Sequence, residues 1–200
     1  MANPANDIIS IYRRHAKAWA EARAPHAVEA KWLDRFTALL DPGVELLDLG
    51  CGPGVPIARY LTDGGYALHG VDASPEMLTL FRANIPTAPA TLADMRELQL
   101  GRTFAGILAW DSFFHLTPDD QRRMFPIFRA HSRLGSALMF TSGSAFGEAL
   151  GTLEGDVLYH ASLDADEYRH LLDENGFAIV DHVDDDPDCG GHTIWLARRS

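Results

Sequence analysis

Leu46-Leu47-Asp48-Leu49-Gly50-Cys51-Gly52-Pro53-Gly54 runs directly into Val55-Pro56-Ile57-Ala58-Arg59-Tyr60-Leu61. A short apolar run carries one acid near its end, and three glycines follow at alternate positions. The next segment reads as a helix with proline in its first turn, where a missing N–H costs little. Strand, glycine turn and helix in this order let an α/β protein bring backbone amides up to a ligand at the edge of its sheet.

The chain has 200 residues, enough for one domain with a full core. Its formal charge of -11 argues against a nucleic-acid partner, which needs phosphate-neutralising Lys and Arg. A small neutral or cationic substrate suits that balance. The two cysteines, Cys51 and Cys189, make no disulfide framework and lack metal-ligand spacing. No basic and apolar leader opens the chain, and no apolar run is long enough to span a membrane. A cytoplasmic protein with no membrane partner is therefore expected; the oligomeric state stays open.

Outward from the glycine turn, the pattern alternates. Toward the N-terminus, Asp7 is expected to cap a helix with Ile8, Ile11, Tyr12, His15, Ala16 and Trp19 inward. A second helix is expected after Pro25, with Val28, Trp32, Phe36, Leu39 and Leu40 on one stripe. Toward the C-terminus, strands are expected at Tyr66–Val71, Ala88–Leu92, Phe104–Trp110 and Leu134–Thr141, with helices between them. One of these helices, Asp119–His131, contains Pro126, a candidate kink. A less regular stretch is expected from Ser142 to about Leu163. A helix over Asp164–Asn175, closed by Gly176, then leads to two last strands, Phe177–Val183 and His192–Arg198, joined by an acidic loop. With the strand at Val44–Leu49, that makes seven strands.

Asp48, Gly50, Gly52 and Gly54, set in this context, resemble the glycine motif of class I S-adenosylmethionine-dependent methyltransferases, a hydrophobic run followed by D-x-G-x-G-x-G. The resemblance implies an α/β fold: a Rossmann-like, seven-stranded, mostly parallel sheet with a C-terminal antiparallel hairpin and helices on both faces. N-terminal helices would cap the cofactor site. One methyltransferase domain is then expected over 1–200, with a helical cap over 1–42 and a core over 43–200. The implied cofactor is S-adenosylmethionine, and the implied activity is methyl transfer to an oxygen or nitrogen of a small molecule. Two other classes remain: an S-adenosylmethionine-binding regulatory protein without turnover, and a nicotinamide-dependent oxidoreductase. The last is disfavoured because a G-x-G-x-x-G fingerprint would need its third glycine at Val55.

The resemblance assigns the turn (Gly50, Cys51, Gly52, Gly54) to the cofactor's methionyl part, where missing side chains permit close backbone approach. Asp48 would face its ammonium; the alternative is a cap or turn acid. Asp72, with Ala73 beside it, would accept two hydrogen bonds from the ribose diol. Its competing role is N-cap of the helix at Pro75, for which Ser74 is also a candidate. Asp94 and Met95 are expected against the adenine, with a plain turn aspartate as the other account of Asp94, and Met77 either near the ribose or simply in the core. Tyr12 and Trp19 of the first helix, and Trp110, complete the expected cofactor contacts, with core packing as the other account of the helix pair.

Chemistry is expected around Trp110-Asp111-Ser112-Phe113-Phe114-His115. Methyl transfer is an in-line displacement at an already activated carbon, so alignment dominates and a base helps only when the nucleophile starts protonated. His115 is the candidate base, with ordinary packing as the alternative. His15, Asp111, Phe114 and Tyr159 are the candidate substrate contacts, with ordinary packing an equal account of His15 and Tyr159. No D/N-P-P-Y/F segment and no loop cysteine follow the fourth strand, which disfavours nucleic-acid amino and cytosine carbon methylation. Asp111 lacks a partner after the fifth strand for a catechol-type magnesium site. The acidic run Asp181–Asp188 with His192 is read as a solvated hairpin loop, and no metal is expected.

Overall fold

The computed structural model describes residues 3–23 and 28–200. Asn3, not Asp7, opens the first helical segment: its Oδ1 accepts from Ala5 N at 2.9 Å, and a 3-10 turn over Pro4–Asp7 feeds α1 (Ile8–Arg23). The local geometry breaks at His15 (φ -109°, ψ 16°). Pro25, the expected start of the second helix, lies outside the described residues. Helix α2 (Ala30–Thr37) buries Trp32, Leu33 and Phe36, while Val28, expected on the same stripe, sits in the turn before it and is exposed.

Strand β1 (Glu45–Leu49), α3 (Ile57–Asp63), β2 (Ala67–Asp72), α4 (Pro75–Asn84), β3 (Ala90–Leu92), β4 (Phe104–Ala109), α5 (Pro118–Ala130) and β5 (Ser132–Ser142) alternate as the periodicity predicts. Pro126 lies inside α5 without ending it. After β5 the chain departs from the expected irregular stretch and forms a hairpin of β6 (Gly147–Leu153) and β7 (Asp156–Ser162). Its two-residue turn, Glu154-Gly155, has positive φ at both positions (50° and 88°), as a type I′ connection requires. Mostly exposed β6, with glycines at 147 and 151, hides the alternation by which a half-buried strand is read.

Helix α6 (Ala165–Glu174) leads to β8 (Phe177–Asp186) and β9 (His192–Arg199). The acidic run is therefore largely strand rather than loop. One of its acids, Asp186, turns inward and accepts the Trp32 indole N–H at 2.7 Å.

The main sheet has the order β3-β2-β1-β4-β5-β9-β8. Neighbours from β3 to β5 pair parallel, and β9 runs antiparallel to both β5 and β8. Alternate residues feed opposite faces. Leu46, Leu108 and Met139 pack with α2, α3 and α4, whereas Leu47, Ile107 and Phe140 pack with α5 and α6. The second face holds an aromatic cluster of Phe113, Phe125, Phe128, Phe140, Tyr168 and Trp195. The β6–β7 hairpin lies outside the sheet and packs on α1 through Ile8, Ile11, Leu158 and Tyr159. Helix and hairpin together roof the C-terminal strand ends, where an open α/β sheet binds its ligands.

Phe128 is fully buried, with ring centroids 5.9 Å from Phe113 and 6.3 Å from Phe140. Phe128→Ala is expected to cost about 3–5 kcal/mol of unfolding free energy. Leu134→Ala, at an exposed position, should stay within about 0.5 kcal/mol of the parent. Denaturant titration measures both, and equal midpoints for the two variants would refute this assignment of the core.

Candidate cofactor and methyl-transfer site

The site begins where β1 ends. Gly50 N and Cys51 N both donate to Val71 O (2.8 and 3.0 Å), which bends the chain across the tip of β2. Gly50, Gly52 and Gly54 all have positive φ (71°, 51° and 77°). Their reasons differ. A Cβ on Gly50 would lie 2.3 Å from Ser112 Cβ, and one on Gly54 would lie 2.9 Å from Phe81 and Ile85 atoms. A Cβ on Gly52 would meet nothing within 4 Å; it would project into open space. The outer two glycines thus allow the turn to pack, and the middle one keeps a cradle open.

Two cavities flank this turn. The main cavity is lined by Tyr12, Trp19, Asp72, Ala73, Met77, Asp94, Met95, Asp111 and His115, among others. The glycine-turn cavity is lined by Trp19, Arg23, Asp48, the turn itself including Cys51, and Trp110. Every expected cofactor contact therefore borders one or both of them.

Three carboxylates differ in environment. Asp48 is 4% exposed, and burial, followed by the charge of Asp72, pushes its pKa up to about 7. No side-chain or backbone hydrogen bond among the described residues offsets that burial. An acid in this state calls for a cationic ligand group, which is what the ammonium of an amino-acid end would supply. Asp72 accepts Gly52 N (2.9 Å) at Oδ2 and Ser74 N (2.8 Å) at Oδ1. Burial still raises its pKa against those bonds. Each oxygen keeps a lone pair for a diol. Ser74 takes the cap instead, its Oγ accepting from Met77 N at 3.1 Å. Asp94 caps a short 3-10 turn and is gripped by Arg96, whose Nε lies 2.9 and 3.0 Å from its two oxygens. Burial would raise the Asp94 pKa, but Arg96 outweighs it and holds the acid ionised.

His115 is buried on the wall of the main cavity, in a 3-10 turn between β4 and α5. Its Nδ1 faces the Tyr159 carbonyl at 2.8 Å, which can only accept, so the ring hydrogen sits there. The Nε2 lone pair then accepts the Tyr12 hydroxyl at 2.8 Å. Burial lowers the imidazole pKa to about 4, so that lone pair is free of a solvent proton at neutral pH. Tyr12 stays protonated, its pKa raised by burial and then by the charges of Asp111 and Asp72.

Two expected substrate contacts lie elsewhere. His15 borders none of these cavities; its Nε2 is 2.7 Å from Asp156 Oδ2, which also pairs with Arg14, between α1 and the hairpin. The Tyr159 side chain is buried and donates to Glu148 at 2.7 Å, so only its carbonyl serves the site. Phe114 does line an opening, an outer groove shared with His160 and His192, and the His160 ring stacks on His115 at 4.9 Å. The residues missed by sequence reasoning are Ser112, Arg23 and His192. Ser112 Oγ donates to Leu49 O at 2.7 Å, locking the loop after β4 onto β1. His192 and Arg23 hold Asp111 from 81 and 88 residues away in the chain, and no local spacing announces such a pair.

Among the described residues, no helix is long and apolar enough to cross a membrane. Residues 46–135 match the family model described as a methyltransferase domain. An O-methyltransferase of Pyrenophora dematioidea is 28% identical over 155 residues, covering 72% of this chain and 57% of that protein. The dTDP-3-amino-3,6-dideoxy-alpha-D-glucopyranose N,N-dimethyltransferase of Streptomyces fradiae is 36% identical over 72 residues, covering 36% of this chain and 28% of that protein. The chain thus spans little more than half of the first relative and under a third of the second. Among solved structures, the 1,6-didemethyltoxoflavin-N1-methyltransferase of Burkholderia thailandensis, with 1,6-didemethyltoxoflavin and S-adenosylhomocysteine bound, superposes with a TM-score of 0.73 at 21% identity, over 100% of this chain and 92% of that one. That likeness is one of fold. The match over residues 46–135, the glycine turn and the strand order together resemble the class I S-adenosylmethionine-dependent methyltransferases.

Proposed function

We propose that this chain transfers a methyl group from S-adenosylmethionine to an oxygen or nitrogen of a small molecule. One observation carries the reading: a buried acid without a donor, Asp48, and a diol-competent acid, Asp72, flank an open glycine cradle one cavity away from a Tyr–His pair. The relatives named as O- and N-methyltransferases support it. S-adenosylmethionine would supply a methyl on a positively charged sulfur, displaceable by an acceptor lone pair.

The chain's own residues would do the rest. Asp48 would pair with the ammonium, Asp72 with the ribose hydroxyls, and Asp94 and Met95 would border the adenine. Residues 1–42 would act as a cap over the core at 43–200, with Tyr12 and Trp19 closing the cavity and excluding water. An acceptor O–H or N–H would donate to Tyr12 Oη. The proton gained there is balanced by the one Tyr12 already directs at His115 Nε2, and Tyr159 O would steady the resulting imidazolium. Positioning supplies most of the rate, and the proton path matters for acceptors that start protonated.

Two measurements test this. Because Asp48 must ionise to pair with an ammonium, S-adenosylmethionine affinity should fall as pH drops below about 7, with proton uptake by the free site. Calorimetry in buffers of different ionisation enthalpy should show proton release on binding near pH 6.5, absent in Asp48→Asn. A flat profile in the parent would remove Asp48 from the ammonium role. Tyr12→Phe and His115→Ala should each lower turnover roughly tenfold or more while S-adenosylhomocysteine affinity changes less. Turnover is read as S-adenosylhomocysteine formed across a panel of hydroxyl and amine acceptors, and unchanged turnover in both variants would return the pair to packing.

A further inference from the structure

The main cavity and the glycine-turn cavity share four lining residues, Trp19, Gly50, Gly52 and Asp111. On the reading proposed above, the methionyl end lies by Asp48 and the ribose by Asp72, so the sulfur joining them crosses this junction. Asp111 is the only charged group of the four.

The residue is fixed at three points, two of them on its carboxylate. Asp111 N donates to Thr141 Oγ1 at 3.0 Å, Oδ1 lies 2.6 Å from His192 Nε2, and Oδ2 lies 2.8 Å from an Arg23 guanidinium nitrogen. These contacts hold a non-glycine residue at φ 49°, a conformation such residues seldom adopt. His192 has a second acceptor: its Nδ1 lies 2.6 Å from Cys189 O. Both ring nitrogens face oxygens that accept, so both carry hydrogens and the ring is a cation. Arg23 in turn pairs with Glu29, which is buried. The four groups alternate in sign and sum to zero. Burial pulls against both charges of the Asp111–His192 pair, yet their mutual contact holds Asp111 ionised and His192 protonated.

We propose that Asp111 distinguishes the charged sulfonium of S-adenosylmethionine from the neutral thioether of S-adenosylhomocysteine, and that His192 sets how much of its charge the sulfur meets. At a sheltered junction a unit charge is screened far less than in water, so the site favours the ligand that carries the positive sulfur. Loss of the methyl removes that preference and lets the product leave. This rests on the cavities being the S-adenosylmethionine site.

Calorimetric affinities for both ligands test it, in the parent, Asp111→Asn and His192→Gln. Asp111→Asn removes the one charge that borders the junction, and the ratio Kd(S-adenosylmethionine)/Kd(S-adenosylhomocysteine) should rise roughly tenfold or more. His192→Gln leaves the cluster one charge more negative, and the same ratio should fall. Opposite movement is the signature of charge. A constant ratio in both variants, or movement of both in one direction, would overturn the proposal, because a structural role weakens the two ligands alike. Should Asp111→Asn not fold, the direction of the His192→Gln ratio decides alone. Failure of the parent to bind either ligand would instead remove the reading of the cavities, a distinct result.

Discussion

The bond from Gly52 N–H to the Asp72 carboxylate, 2.9 Å long, is the contact on which the site depends. It ties the middle of the glycine turn after β1 to the last residue of β2. The parallel register that pairs Leu49 with Val71 already brings the two strand ends together. The bond then sets how far the turn stands from the sheet. Because Asp72 also accepts Ser74 N, one side chain fixes the glycine cradle and the entry to α4 together. A cavity floor built from backbone and one buried acid is stiff, since that acid holds two backbone N–H groups at once.

The opposite wall is built from less regular parts. Helix α1 and the β6–β7 hairpin share a small apolar cluster, the His15–Asp156 hydrogen bond and the Arg14–Asp156 ion pair. That joint carries the chemistry-bearing face: Tyr12 comes from the helix, Tyr159 O from the hairpin, and His115 is held between them by one hydrogen bond to each. His115 is thereby a tautomer fixed by tertiary contact, with burial keeping it neutral. The site thus joins a rigid, sheet-borne ligand floor to a roof whose parts meet through few contacts.

Much of this was legible beforehand, and unevenly so. The strand–turn–helix at Leu46–Leu61 and the acids at the ends of β2 and β3 follow from local pattern, because a strand end, a glycine turn and a cap are decided within a few residues. The order of strand and helix was likewise readable from periodicity. What failed was structure whose pattern is weak. The hairpin at 147–162 lies mostly exposed on β6, so burial imprints no alternation there; its Glu154-Gly155 turn was the available signal. Asp186 reads as one more solvent acid until Trp32, 154 residues away, is brought over it. His15 shares its helical face with Tyr12 at three-residue spacing, but the helix breaks there and its ring turns to Asp156.

By itself, then, the sequence determined the family resemblance, the parallel sheet with its antiparallel end, and the residues that border the two cavities. These rest on glycine geometry and short-range apolar periodicity, which act over a few neighbouring residues. The tertiary structure alone decided the charge state and company of the side chains. It paired Asp111 with Arg23 and His192, turned Tyr159 inward so that its carbonyl orients His115, and left Asp48 without a donor among the described residues. Such properties depend on burial and on partners 40 to more than 100 residues apart, as with His115 held by Tyr159 and Tyr12. Desolvation is a property of the folded surface, and no stretch of chain carries it alone.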